Sequence, residues 1–115
     1  MDCIFCKIIE KVIPSQIVYE DKNVLAFNDI NPAAPVHILV IPKKHIETVK
    51  DITSADKDTL AYMFSAINEI DKIKNLSEAG YRLIINNGKA AGQEVFHLHI
   101  HILGGKERLG PMLSR

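Results

Sequence analysis

The run VFHLHIHILGG, residues 95–105, restricts what this chain can fold into more than any other stretch. His97, His99 and His101 alternate there with Leu98, Ile100 and Ile102. Side chains along an extended backbone point to opposite faces in turn, so a strand gathers the three imidazoles on one face and three aliphatic groups on the other. A helix would scatter the six residues around its circumference. The segment therefore reads as a strand, with successive imidazoles about 6.6 Å apart and the aliphatic residues turned into a core. Histidine is not a strong strand former, and a merely solvated face is more readily filled with Thr or Lys. Because three of the chain's five histidines are concentrated here, the face is expected to bind something: a metal, a phosphate, or protons in transit.

The rest of the pattern supplies partners for that strand. CIFCKIIE reads as a short helix with Ile4, Phe5 and Ile8 on one side. Residues 16–19 and 24–28 read as a hairpin across the turn EDKN, and residues 36–41 as an apolar strand closed by Pro42. From Thr53 onward, Leu60, Met63, Phe64, Ile67, Ile70 and Ile73 recur at helical spacing, and Thr53 with Asp56 three residues on fits a capping box. Gly80 marks a break before a strand at 81–86, and NGKAAGQE is a loop into the histidine strand. The expectation is an α+β domain: five strands, mostly antiparallel, with one long and one short helix packed on one face.

A chain of 115 residues has room for one core, so residues 1–115 are expected to be a single domain. Fourteen basic and fourteen acidic residues cancel, which argues against nucleic acid and against a polybasic membrane patch as partners. MDCIFCKIIEK has an acid at position 2 and an apolar run too short for a signal peptide, and no stretch approaches the ~18 apolar residues of a membrane span. A soluble cytoplasmic protein is expected, with Cys3 and Cys6 reduced.

HLHIHIL has the form His-φ-His-φ-His-φ-φ, φ being apolar. Together with IFCKIIEKVIPSQIVYED, FNDINPAAPVHILVIPKKHI and GYRLIINNGKAAGQEVFHLHIHILGG, it resembles the histidine triad (HIT) superfamily, and within it the Hint branch of purine nucleoside phosphoramidases. The likeness runs from residue 4 to the end of the chain. GQEVFHLH and LGPML are similar to the bacterial members.

This resemblance implies hydrolysis of nucleoside 5′-phosphoramidates through a covalent nucleotidyl-histidine. His99 falls at the nucleophile's position. Imidazole is nucleophilic near neutral pH and its bond to phosphorus is labile to water. By the same likeness His101 would stabilise charge on the phosphate and leaving group, while His97 and His37 would hold ring orientation and tautomer. Asp29 would accept the ribose hydroxyls. Ile4, Phe5, Ile8, Phe27 and Ile30 would enclose a purine, with Asn28 where animal relatives carry His. Asn86 and the loop Gln93, Glu94 and Val95 would reach the phosphate, Gly92 allowing close approach; Glu94 stands where animal relatives have Ser. A homodimer with a sheet continued across two chains is also implied, and no cofactor is needed for the reaction.

Cys3 and Cys6 form a C-x₂-C pair, half of a tetrahedral zinc set. In some relatives a mid-chain histidine and the first triad histidine complete it, here His45 and His97. A structural zinc is expected, tying the N-terminal helix to the sheet. Two small buried thiols are the plainer alternative. Rival readings of the whole are a catalytic metal held by His97, His99 and His101, a non-catalytic nucleotide-binding protein, and a dinucleoside polyphosphate hydrolase of the same superfamily.

Overall fold

The structure is a computed structural model that describes residues 3–113; Asp2, part of the case against a signal peptide, lies outside them. Five strands form one sheet: β1 (Ile17–Glu20), β2 (Val24–Asn28), β3 (Val36–Pro42), β4 (Arg82–Ile84) and β5 (Ile100–Gly104), in the order β1-β2-β3-β5-β4. Every neighbouring pair is antiparallel. The helices are α1 (Ile4–Ile9) and α2 (Lys57–Lys74). None among the described residues is long and apolar enough to cross a membrane.

The β1–β2 turn forms where expected because Asp21 holds it. Its Oδ1 accepts the backbone N–H groups of Asn23 and Val24 at 2.7 and 2.8 Å, an Asx arrangement that replaces lost ladder bonds. The capping box at Thr53 is also present, with Asp56 accepting the Thr53 N–H at 2.9 Å, but it opens a 3₁₀ turn before α2 begins.

One expectation changes. The helices lie on opposite faces of the sheet, not on one. Val24, Ala26, Ile38, Val40, Leu98, Ile100 and Ile102 pack with Met63, Ile67 and Ile70 of α2. The alternate residues Leu25, Phe27, Leu39 and Ile41 pack with Cys3, Phe5 and Ile8. This two-sided burial explains why β2 and β3 are apolar at nearly every position: a strand covered on both faces loses the polar half of its alternation. On α2, Phe64 and Ile73 of the expected apolar stripe are exposed.

The histidine strand is also shorter than its pattern suggests. β5 begins only at Ile100, and residues 97–99 are irregular. Facing survives nonetheless, with Leu98, Ile100 and Ile102 all on the α2 side. The chain can leave the ladder there because backbone partners come from elsewhere: Leu98 N–H donates to Ile46 C=O at 2.6 Å. That bond brings His45 beside His97. At the other end Gly105 has φ +80°, and a Cβ there would lie 2.9 Å from Val36, so the turn after β5 requires glycine.

Candidate functional site

The α1 face of the sheet carries a cavity of about 490 Å³. Its apolar end is lined by Ile4, Phe5 and Ile8 of α1, with Phe27, Ile30 and Leu39. Its polar end is lined by Asn28, Asp29, Asn86, Glu94, Val95, His99 and His101. The packing centres on Phe5, whose ring meets those of Phe27, His99 and His97 edge-on at 5.4, 5.3 and 5.9 Å.

All but one of the residues expected at the nucleotide are on this wall. Gln93 is the exception: it is buried, and its side chain faces the protein. Its Oε1 accepts Gly88 N–H at 2.8 Å, and its Nε2 donates to the carbonyls of Glu47 and Val95 at 2.9 and 3.0 Å. With its amide committed to the backbone, Gln93 shapes the 88–95 loop and turns no side-chain group to the cavity. Leu39, Ile13, Pro14 and Ser15 line the cavity without having been expected there. Leu39 could have been found, since it is two residues from His37 on one strand. Ser15 carried no signal; its buried Oγ has no partner among the described residues.

The histidines divide into two groups, and backbone partners decide the protonation of each ring. Ala33 N–H donates to His37 Nδ1 at 2.9 Å. A backbone amide can only donate, so the His37 proton sits on Nε2, which donates to His101 Nδ1 at 2.9 Å. His101 therefore carries its proton on Nε2. Asp29 Oδ2 lies 3.4 Å from His37 Nε2, while Asp29 Oδ1 accepts Asn31 N–H at 2.8 Å and closes the loop. His99 Nδ1 donates to the His97 carbonyl at 2.8 Å, so His99 Nε2 bears a lone pair. Burial, then the neighbouring His99 and His37, push the His101 pKa down to about 4, so its ring is neutral near pH 7.

His97 is fully buried and takes no part in the cavity. Its Nε2 donates to Pro42 C=O at 2.8 Å, leaving a lone pair on Nδ1. Three groups crowd that one lone pair: His45 Nδ1 at 3.1 Å, Cys3 Sγ at 3.4 Å and Cys6 Sγ at 3.6 Å. A single lone pair accepts one hydrogen bond well, whereas a cation at the centre would engage all four atoms. Those atoms lie within 4.8 Å of one another, and tetrahedral zinc with bonds of about 2.0–2.3 Å has edges of roughly 3.3–3.8 Å. The donor set fits zinc. Burial holds His97 neutral, with a pKa of about 4, as a ligand must be. Without a cation the Cys6 thiol is pushed up to about 11, by burial first and the adjacent Cys3 next.

The three triad imidazoles thus point to three destinations and make no common ligand set among the described residues. That geometry does not fit a catalytic metal on His97, His99 and His101.

Residues 10–108 match the HIT domain family. The purine nucleoside phosphoramidase of Escherichia coli K12 is 48% identical over 113 residues, 98% of this chain and 94% of that protein. A histidine triad protein from Clostridium difficile superposes with a TM-score of 0.89 at 55% identity, covering 92% of each chain. A HIT family hydrolase from Clostridium thermocellum superposes at 0.92 with 51% identity, covering 98% of this chain and 97% of that one.

Proposed function

The chain belongs to the HIT domain family, and from that premise we propose that it hydrolyses nucleoside 5′-phosphoramidates, purine ones in particular, through a covalent bond to His99. The observation that carries this reading is the direction of the hydrogen bonds. They leave a lone pair on His99 Nε2 and a proton on His101 Nε2, with both residues on the wall of the same cavity.

In the first step His99 Nε2 attacks phosphorus and the P–N bond to the amine breaks. The departing nitrogen takes a proton, for which His101 Nε2–H is the nearby donor, while the His97 carbonyl holds the Nδ1–H of the charged His99 ring. In the second step water attacks phosphorus and gives a proton to His101 Nε2, replacing the one passed to the amine; the P–Nε2 bond breaks, and nucleoside monophosphate leaves. Asp29 offers paired oxygens to the ribose hydroxyls, and the walls from α1, Phe27 and Leu39 enclose the base. This route needs no cofactor. Rapid quench with a labelled nucleotide substrate should trap an acid-labile, base-stable adduct that maps to His99; a label elsewhere rejects the route.

Two further features belong to the same proposal. Cys3, Cys6, His45 and His97 hold a structural zinc, which supplies a cross-link between the N-terminal segment and the core and touches no substrate. The protein is a homodimer whose seam includes β4, a three-residue edge strand with Leu83 and the following Ile85 part-exposed, and exposed apolar side chains of α2 such as Phe64. Unpaired apolar edges favour pairing with a second chain. A light-scattering mass near 12.9 kDa at micromolar concentration rejects the dimer.

A further inference from the structure

Helix α1 serves two sites at once. Cys3 caps it and Cys6 lies within it, both turned toward His45 and His97. Ile4, Phe5 and Ile8, interleaved with them, line the cavity. The helix has only six residues, far below the ~12–15 at which an isolated helix becomes even marginal. Among the described residues, the backbone hydrogen bonds of residues 3–13 all close within that segment, and none reaches the sheet. Side chains alone therefore hold α1 in place: the apolar set around Phe5, an ion pair from Lys11 to Glu20 at 2.7 Å just beyond the helix, and the thiol–imidazole contacts. A second link runs through His97, which offers Nδ1 to the thiols and its carbonyl to His99 Nδ1–H.

Resting on the nucleotide and zinc readings above, we propose that metal and nucleotide binding are thermodynamically coupled through α1. A divalent cation drawing Cys3 and Cys6 onto His45 and His97 orders the wall against which the base packs. A nucleoside packed on that wall orders the helix that carries the two thiols. Each ligand meets part of the ordering cost of the other, so each tightens the other by the same factor. The cation takes no part in the reaction under this scheme. It sets how well the pocket is formed.

The test uses the intact chain stripped of metal with a chelator. Zinc affinity is measured by competition with a chromophoric chelator, with and without saturating AMP, and AMP affinity by calorimetry with and without zinc. Both should tighten by the same factor, about tenfold. Adenosine, which has no phosphate to bridge zinc, should show coupling in the same direction. Amides of residues 4–9 should exchange hydrogen more slowly with either ligand than with none. Phe5→Leu retains all four metal ligands and should bring the coupling factor toward one. AMP affinity identical with and without zinc, or slow exchange of α1 in the metal-free protein, overturns the coupling and leaves the nucleotide reading standing. AMP binding to neither form overturns both, and failure to take up zinc overturns the coupling together with the zinc site.

Discussion

The thiol–imidazole group around His97 and the imidazole chain around His101 are anchored by histidines four residues apart on one stretch of backbone, yet they suit opposite chemistry. Each contains a close pair of imidazole nitrogens, His45 Nδ1 to His97 Nδ1 at 3.1 Å and His37 Nε2 to His101 Nδ1 at 2.9 Å. The distances hardly differ. What differs is the partner on the far nitrogen. Pro42 C=O accepts a hydrogen bond from His97 Nε2–H, which turns the Nδ1 lone pair toward two thiols, whereas Ala33 N–H starts a directed relay that ends in a proton on His101 Nε2. One group collects lone pairs for a cation; the other delivers a donor to a cavity. The carbonyl of His97 joins them, since it fixes His99.

Substitutions on the two sides of this divide should separate cleanly. The largest effect is expected at His99. His99→Ala leaves Asp29, the apolar walls and His101 in place, so AMP affinity should change little while turnover falls by roughly four orders of magnitude or more. His101→Ala should cost about 10²–10³-fold, and more with a poor leaving amine, because it removes proton and charge handling without removing the nucleophile. Near wild-type turnover from His99→Ala would erase the distinction between the groups.

A smaller effect of a different kind is expected from Cys3→Ser. Metal analysis should drop from about one zinc per chain to well below that, and Tm should fall by several degrees. KM should rise while kcat stays within a few-fold, because the change loosens α1 and leaves His99 and His101 intact. An equal loss in kcat would move the thiol group to the catalytic side of the comparison. Uptake of zinc near pH 7 should also release protons, since the Cys6 thiol stands near 11 before the cation arrives.

The gentlest probe is pH. The folded protein holds the His101 pKa near 4, against an ordinary value of 6.5. Between these values the unfolded chain binds more protons than the folded one, so stability from this group is complete above about pH 6.5 and is lost as pH falls toward 4. The His101 ring resonances should stay flat from pH 8 to about 5.5, and Tm should decline as pH falls from about 6.5 toward 4. A ring titrating near 6.5 would mean that burial and the His37 relay do not govern it.

Much of this molecule was legible in its residues, for reasons that are local. The two-residue period placed Leu98, Ile100 and Ile102 opposite the imidazoles even though residues 97–99 leave the ladder, because the facing depends on successive extended residues and not on pairing. The EDKN turn and the Thr53–Asp56 box both formed, each using atoms within three residues, though the box opens a 3₁₀ turn and not α2 itself. Of the candidate metal group only the C-x₂-C thiols were visible locally; His45 and His97 entered through the resemblance to the family. Tertiary structure alone decided the rest. The helices took opposite faces because β2 and β3 are apolar on both, and a run of apolar residues names no face for either helix. Gln93 turned inward because three backbone groups, one of them 46 residues away, needed its amide. His97, His99 and His101 parted ways for the same reason. An imidazole's role follows from which nitrogen keeps the proton, and that was settled by partners brought close only by folding: Pro42 C=O from 55 residues away for His97, and His37 from 64 residues away for His101.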